Sequence, residues 1–290
     1  MNGWRTVAIR SKSSLEVEDR LLRIETDGRI RKIPLDQLGH LLMDTGAVTL
    51  PASVLSVLAE EHVRVLLCDA RHVPGCEVIP VGRHHEAAGS VMDQAAWSSE
   101  NRNRVWKCIV ELKLRNQKRL LDYTGRTPPP KFQEYLLSVK PGDTTNREAL
   151  AAKLYLHTLF GNDFRRHTRD PVNAKLNYGY TILCSAFSRV LAMHGYHTGL
   201  GIHHYSRDNP VNLSCDLMEP FRPMVDHLVY NMEEGDLDWE KKKRFISMMN
   251  DRCWLEGRGS TVEETVEIFT LKTLAAVKKG EERIPEVRFV

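Results

Sequence analysis

An α+β chain is expected, with a small β-rich unit first and a larger all-α unit after it. Three features predict it: short alternating apolar runs confined to the first eighty residues, a weakly periodic stretch after them, and three- and four-residue apolar spacing from about residue 101 almost to the end. The expected boundaries are 1–80 for the β-rich unit, 81–100 for a linker and 101–290 for the helical unit.

In the first unit, TVAI (Thr6–Ile9), LRIET (Leu22–Thr26), IRKIPL (Ile30–Leu35), LLMDT (Leu41–Thr45) and VRVLLCD (Val63–Asp69) read as strands. Asp27-Gly28 between two of them signals a hairpin, because both central residues of a type I′ turn need positive φ. One helix, roughly Ser53 to Glu61, interrupts the strands and offers Val54, Leu55, Val57 and Leu58 to a core. From about residue 77 to 100 breakers dominate, which is the composition of a linker; His84 and His85 fall there and receive no chemistry. Helices then follow at Arg102–Leu121, Asn146–Phe160, Asn173–Met193, Phe221–Glu233, Trp239–Asn250 and Thr261–Lys279, punctuated by Pro128-Pro129-Pro130 and Gly161.

The composition excludes several classes. At 290 residues, 42% hydrophobic and 27% charged, the chain can bury a core and is neither disordered nor membrane-embedded in character. No run of 18 apolar residues occurs, and MNGWRTVAIRSKSS lacks the apolar core of a signal peptide, so a cytoplasmic protein is expected. Six cysteines without a CxxC pair argue against a zinc ribbon or a disulfide framework. A net charge of +3 does not by itself indicate nucleic acid.

Metal-ligand side chains cluster in three helical-half segments: Glu148 in TTNREALAAKLYLHTLF, His203-His204 in GLGIHHYSRDNP, and Asp216 with Glu219 in LSCDLMEP. Asp216 and Glu219 are three residues apart and share a helical face. Mixed carboxylate and imidazole ligands suit Mg²⁺ or Mn²⁺ better than structural zinc. Simpler readings exist for each member. Glu148 suits a helix dipole as a first-turn acid, Asp216-x-x-Glu219 suits a capping box, and the histidines suit an ordinary loop.

The segments NREALAAKLYLHTLFG, RDPVNAKLNYGYTIL and GLGIHHYSRDNPVNLSCDLMEPFRPMVD, in this order and spacing, resemble the CRISPR-associated spacer integrase and endonuclease. MNGWRTVAIRSKSSL and CDARHVP are similar to its type II branch. The resemblance implies a metal-dependent DNA endonuclease and integrase that inserts spacer DNA at the repeat by 3′-hydroxyl attack on a phosphodiester. It implies Glu148, His204 and Glu219 as catalytic metal ligands for Mg²⁺ or Mn²⁺, with Asp216 as a supporting acid and His203 one residue off the expected ligand. It further implies a homodimer paired through residues 1–80 and the small ferredoxin-like CRISPR adaptation protein as partner. DNA is the substrate; the type II effector nuclease and a DNA-end-binding adaptation subunit are further candidate partners. The alternatives are a non-catalytic DNA-binding scaffold and a hydrolase of small phosphoesters.

Two basic clusters are candidate DNA contacts. Between Arg102 and Arg119, the positions Arg104, Lys107, Arg115 and Lys118 follow one helical face that Glu111 interrupts, while Val105, Ile109 and Leu112 turn to the core. Arg165, Arg166, His167 and Arg169 form the second. Asn173 and Tyr178 suit packing and hydrogen bonding, and Lys241–Arg244 a solvated helix face.

Overall fold

A two-residue turn opens the β unit's architecture. Strands β1 (Arg5–Ile9), β2 (Ser13–Glu18), β3 (Leu21–Thr26) and β4 (Arg29–Pro34) are followed by β5 (Leu38–Met43) and β6 (Val48–Thr49), then helix α1 (Ala52–Glu60) and strands β7 (Arg64–Cys68) and β8 (Pro74–Val78). The expected hairpin lies between β3 and β4, where Thr26 faces Arg29 and Asp27 and Gly28 take φ of 49° and 72°. The computed structural model describes residues 5–61, 63–70, 72, 74–78 and 87–289; the histidine pair at 84 and 85 lies outside them.

Two four-stranded sheets result, ordered β1-β5-β7-β8 and β4-β3-β2-β6. In the first, β1, β5 and β7 run parallel, so β5 is covered on both faces and all six of its residues are buried. In the second, antiparallel pairing leaves one face to the core, and Leu15, Leu22 and Ile24 point into it. Val54 and Leu58 of α1 complete this core, with Leu55 and Val57 packed at its margin. The strand β2 went unread in the sequence, although it alternates: Ser13, Leu15 and Val17 turn inward while Ser14, Glu16 and Glu18 are exposed. The strand β8 starts on a proline, which an edge position tolerates.

By its contacts the chain divides at residues 83 and 84. The second unit contains α2 (Ala87–Ala95), α3 (Ser99–Tyr123), α4 (Pro130–Leu137), α5 (Arg147–Phe160), α6 (Pro171–Met193), α7 (Asn212–Met218), α8 (Arg222–Asn231) and α9 (Trp239–Ser247). A hairpin of β9 (Arg252–Leu255) and β10 (Arg258–Thr261), the helix α10 (Val262–Lys279) and β11 (Val287–Arg288) complete it. The unit is mostly helical, as expected, but it also carries a three-stranded sheet, β10-β9-β11. Strands of two to four residues are too short for a period of two to be legible.

Part of the expected linker is ordered helix. Residues 87–95 form α2, and its Gln94, buried, donates to the carbonyls of His197 (2.8 Å) and Leu200 (2.7 Å) and accepts from the His197 amide (2.9 Å). The proline run starts α4 rather than only breaking the chain, since Pro130 needs no amide partner at a first helical position. Helix α3 is the axis of the unit. Its side chains Val105, Trp106, Ile109, Leu112, Leu120 and Leu121 are buried, and so is Lys113. Phe221 anchors the opposite side, its ring 5.1 Å from both Phe187 and Phe269. Among the described residues no helix is long and apolar enough to cross a membrane, and all six cysteines are free thiols.

Candidate active site

Glu148 owes its place to an acid five residues earlier. A 3-10 turn at Pro141–Asp143 precedes α5, and the Asp143 carboxylate accepts the amides of Arg147 (2.8 Å) and Glu148 (2.9 Å), closing the open helix end. From that first turn the Glu148 side chain meets the Lys113 ammonium of α3. The same ammonium donates to Glu219 Oε2 at 2.5 Å.

Glu219 sits where α7 passes into a 3-10 turn, Glu219–Phe221, ahead of α8. Asn116 of α3 holds that turn by donating to the Pro220 carbonyl at 2.9 Å. The second carboxylate oxygen of Glu219 accepts from Arg222 Nε at 2.7 Å, and the Arg222 guanidinium lies over the Tyr180 ring, 4.4 Å from its centroid. Burial alone would raise the Glu219 pKa, but Arg222 and Lys113 hold it down at about 2. For Lys113, burial pulls the pKa down and the two glutamates reverse it, leaving a firmly charged ammonium.

Asp216 is an organiser of the histidine loop. It lies inside α7, so the capping-box reading does not hold, and it is fully buried. Its carboxylate accepts the amides of Ile202 (2.6 Å), His203 (2.9 Å) and His204 (3.2 Å), and bonds His204 Nδ1 at 2.5 Å. That bond, with burial opposing it, raises the His204 pKa and directs the neutral ring's free lone pair to Nε2. The loop can close this tightly only at a glycine. A Cβ on Gly201 would sit 2.4 Å from the His204 carbonyl oxygen and 2.7 Å from the Asp216 carboxylate.

The two histidines have different surroundings. His203 stacks flat on the buried Trp106, with centroids 4.3 Å apart and planes 1° apart, and burial lowers its pKa. His204 meets the same indole edge-on at 5.7 Å and lies within the electrostatic reach of Glu219. Among the described residues, no three acidic, histidine or cysteine side chains already converge as ligands of one ion. Glu148 and Glu219 converge on the Lys113 ammonium instead.

The α3 stripe is basic in sequence and largely neutralised in the fold. Arg104 pairs with Glu100 and Glu282, Lys107 and Arg115 with Glu111, and Lys118 with Asp122. The second cluster differs. Arg165 and Arg169 are exposed and, among the described residues, neither they nor Arg166 has an acidic partner. Arg166 is tied to Asn173 and Asn177, both at 2.6 Å, and shares the Tyr180 ring with Arg222. The run at 241–244 is only partly solvated: Lys242 is buried, its ammonium 5.5 Å from the Tyr178 centroid.

Sequence reading missed Lys113, Arg222 and the buried Asp226. Asp226 accepts from Tyr155 (2.8 Å) and Tyr180, and burial raises its pKa to about 6 despite both bonds. A carboxyl with a folded pKa above its unfolded value stabilises fully below about pH 4, and loses that contribution as pH rises through about 6. Asp226→Asn should therefore stabilise the fold at pH 8 by up to about 3 kcal/mol, with the gain vanishing near pH 4. Urea unfolding at the two pH values measures it; an equal effect at both would contradict a charged Asp226 at neutral pH.

A family profile described as "CRISPR associated protein Cas1" matches residues 7–262. The chain is 35% identical over 239 residues to the CRISPR-associated endonuclease Cas1 of Neisseria meningitidis, covering 82% of this chain and 79% of that protein. Its fold is similar to that of a casposase bound to an integration product, with a TM-score of 0.78, 18% identity, and coverage of 98% and 92% of the two chains. A chain of a Cas6-RT-Cas1–Cas2 complex shares the fold at a TM-score of 0.70 and 16% identity, covering 97% of this chain and 36% of that one.

Proposed function

The chain belongs to the Cas1 family of CRISPR-associated proteins, and from that premise we propose that it is a divalent-metal-dependent DNA integrase and endonuclease of CRISPR adaptation. The observation that carries this reading is the meeting of Glu148 and Glu219 on one cation, beside a histidine whose Nδ1 is already committed to Asp216. Two carboxylates and one imidazole nitrogen fit Mg²⁺ or Mn²⁺, and the ammonium between the acids indicates where positive charge is favoured.

Glu148, His204 and Glu219 would hold the ion. When bound, it supplies activation of an attacking hydroxyl and neutralisation of charge developing on the phosphate. Asp216 is a positioning residue: it fixes the His204 ring and its tautomer, and it pins three loop amides at once. In integration, a 3′-hydroxyl of the spacer precursor attacks a phosphodiester at the repeat. One P–O bond forms, one breaks, and the leaving strand keeps its own 3′-hydroxyl. Water in place of the attacking strand turns the same exchange into cleavage. The test is strand transfer from a labelled duplex into a repeat-bearing plasmid, with Mg²⁺ or Mn²⁺ and with EDTA. Product formed equally well in EDTA would favour a different catalyst, and no product under any condition, with DNA still bound, would favour a scaffold.

DNA would be gripped by the unpaired arginines rather than the α3 stripe. Arg165→Ala with Arg169→Ala should weaken binding across sequences and lower the salt slope by about one per lost phosphate contact. Alanine at Arg104, Lys107, Arg115 and Lys118 should change both less, because each already has an acid beside it. Salt-dependent anisotropy titrations compare the two sets; the reverse order would return the role to α3.

The cytoplasmic homodimer follows the same reading, with the small ferredoxin-like adaptation protein as partner. The β unit supports self-pairing: β4 is an edge strand with Ile30 half exposed. Light scattering should give a dimer for the full chain and a monomer for residues 84–290. The cut belongs at 84 rather than 101, since α2 is bonded into the helical unit through Gln94. A truncated chain that still dimerises would move the interface out of the β unit.

A further inference from the structure

Lys113 is the least expected member of the site. Its side chain is 6% exposed on the central helix, and its ammonium touches both proposed carboxylate ligands. Both Glu219 oxygens already accept from a cation, Oε1 from Arg222 and Oε2 from Lys113. A divalent cation that takes both carboxylates is therefore brought up against the positive charge of these donors.

Arg222 is poorly placed to yield. Its guanidinium is planar, stacked on Tyr180, and three residues from Glu219 on the adjoining helix. Lys113 is a point charge on a flexible four-carbon stem, and it is the donor that Glu148 and Glu219 share. An ammonium kept on both carboxylates would also lie beside the ion they hold, and like charges brought together in a buried setting repel more strongly than in water.

We infer that Lys113 is an internal counter-ion that competes with the divalent metal for the Glu148–Glu219 pair, keeping the two acids together without metal and leaving them when metal binds. This rests on the metal reading above. The competition sets the metal concentration at which the site fills, so loading follows free divalent cation rather than being permanent. It also explains why two acids brought by α5 and the α7–α8 junction stay side by side without an ion: the ammonium cancels a repulsion that would otherwise spread them.

The test uses the full chain with Lys113→Met, which keeps an unbranched stem of similar length and removes the charge. Mn²⁺ alone is the probe, titrated by calorimetry, with thermal unfolding in EDTA and in Mn²⁺. The variant should bind Mn²⁺ about tenfold or more tightly than wild type, from the loss of one nearby positive charge. It should melt lower than wild type in EDTA and recover on adding Mn²⁺. Wild type that binds Mn²⁺ while the variant binds equally or less tightly overturns the inference and leaves the metal site standing. Failure of both proteins to bind Mn²⁺ removes the metal site and the inference together. Should the variant not fold in EDTA, amine acylation of wild type read by mass spectrometry decides. Lys113 should be protected in EDTA and labelled several-fold faster in Mn²⁺, and unchanged labelling overturns the competition.

Discussion

Glu148→Gln and His204→Ala should each lower strand transfer and cleavage by on the order of a thousandfold, while DNA affinity stays within a few-fold of wild type. On the proposed metal reading, losing a ligand forfeits several kcal/mol of transition-state stabilisation, and about 4 kcal/mol corresponds to that factor. Neither side chain is fully buried, so neither loss opens a core. His203→Ala is the internal comparison. It removes a stack on Trp106 worth about 1 kcal/mol and should lower the melting temperature while leaving turnover near wild type. Single-turnover strand transfer under saturating DNA separates the chemical step from binding. Near-normal turnover in Glu148→Gln or His204→Ala would remove that residue from the site; collapse of turnover in a folded His203→Ala would exchange the roles of the two histidines.

Glu219 should behave differently, with its largest effect on the fold itself. Glu219→Ala leaves the Lys113 ammonium and the Arg222 guanidinium with a lost shared partner in a buried setting. Breaking a buried pair from one side costs about 3–5 kcal/mol, against a total of roughly 5–15 kcal/mol for a typical domain. Glu219→Gln keeps the shape and one acceptor oxygen, so it should lose less stability yet still lose turnover. Urea unfolding of the two variants measures the difference. An alanine variant as stable as wild type would mean that Glu148, which Lys113 already meets, suffices for the ammonium and that Arg222 finds another partner. The practical consequence is that alanine at 219 confounds folding with chemistry, whereas glutamine separates them.

The order of β unit then helical unit was legible because local patterns carry it. Alternation over Leu22–Thr26 and the Asp27-Gly28 turn specify a hairpin through neighbours in the chain. Apolar spacing specifies the buried face of α3 in the same way, and Val105, Ile109 and Leu112 are indeed buried. The residues Glu148, His204, Asp216 and Glu219 stood out through long segments resembling one family, since isolated acids and histidines say little. Short elements escaped. In α7 and the β9–β10 hairpin there are too few residues for any period to repeat.

What the sequence determined by itself was therefore the arrangement that each segment can satisfy locally, and the family to which its motifs are similar. Only the tertiary structure decided the charges. In sequence, Lys113 is one more cation in a basic helix; in the fold it alone among that helix's cations is buried, against acids 35 and 106 residues away. Arg104, Lys107, Arg115 and Lys118 look equally free in sequence, yet side chains from their own helix and from Glu282 neutralise them. Asp216 reads as a ligand or a cap until the fold places the amides of residues 202–204 around it. Helix and strand formation depend on residues a few positions apart, but the worth of a charge depends on what desolvates it and what faces it, and those groups arrive from distant parts of the chain.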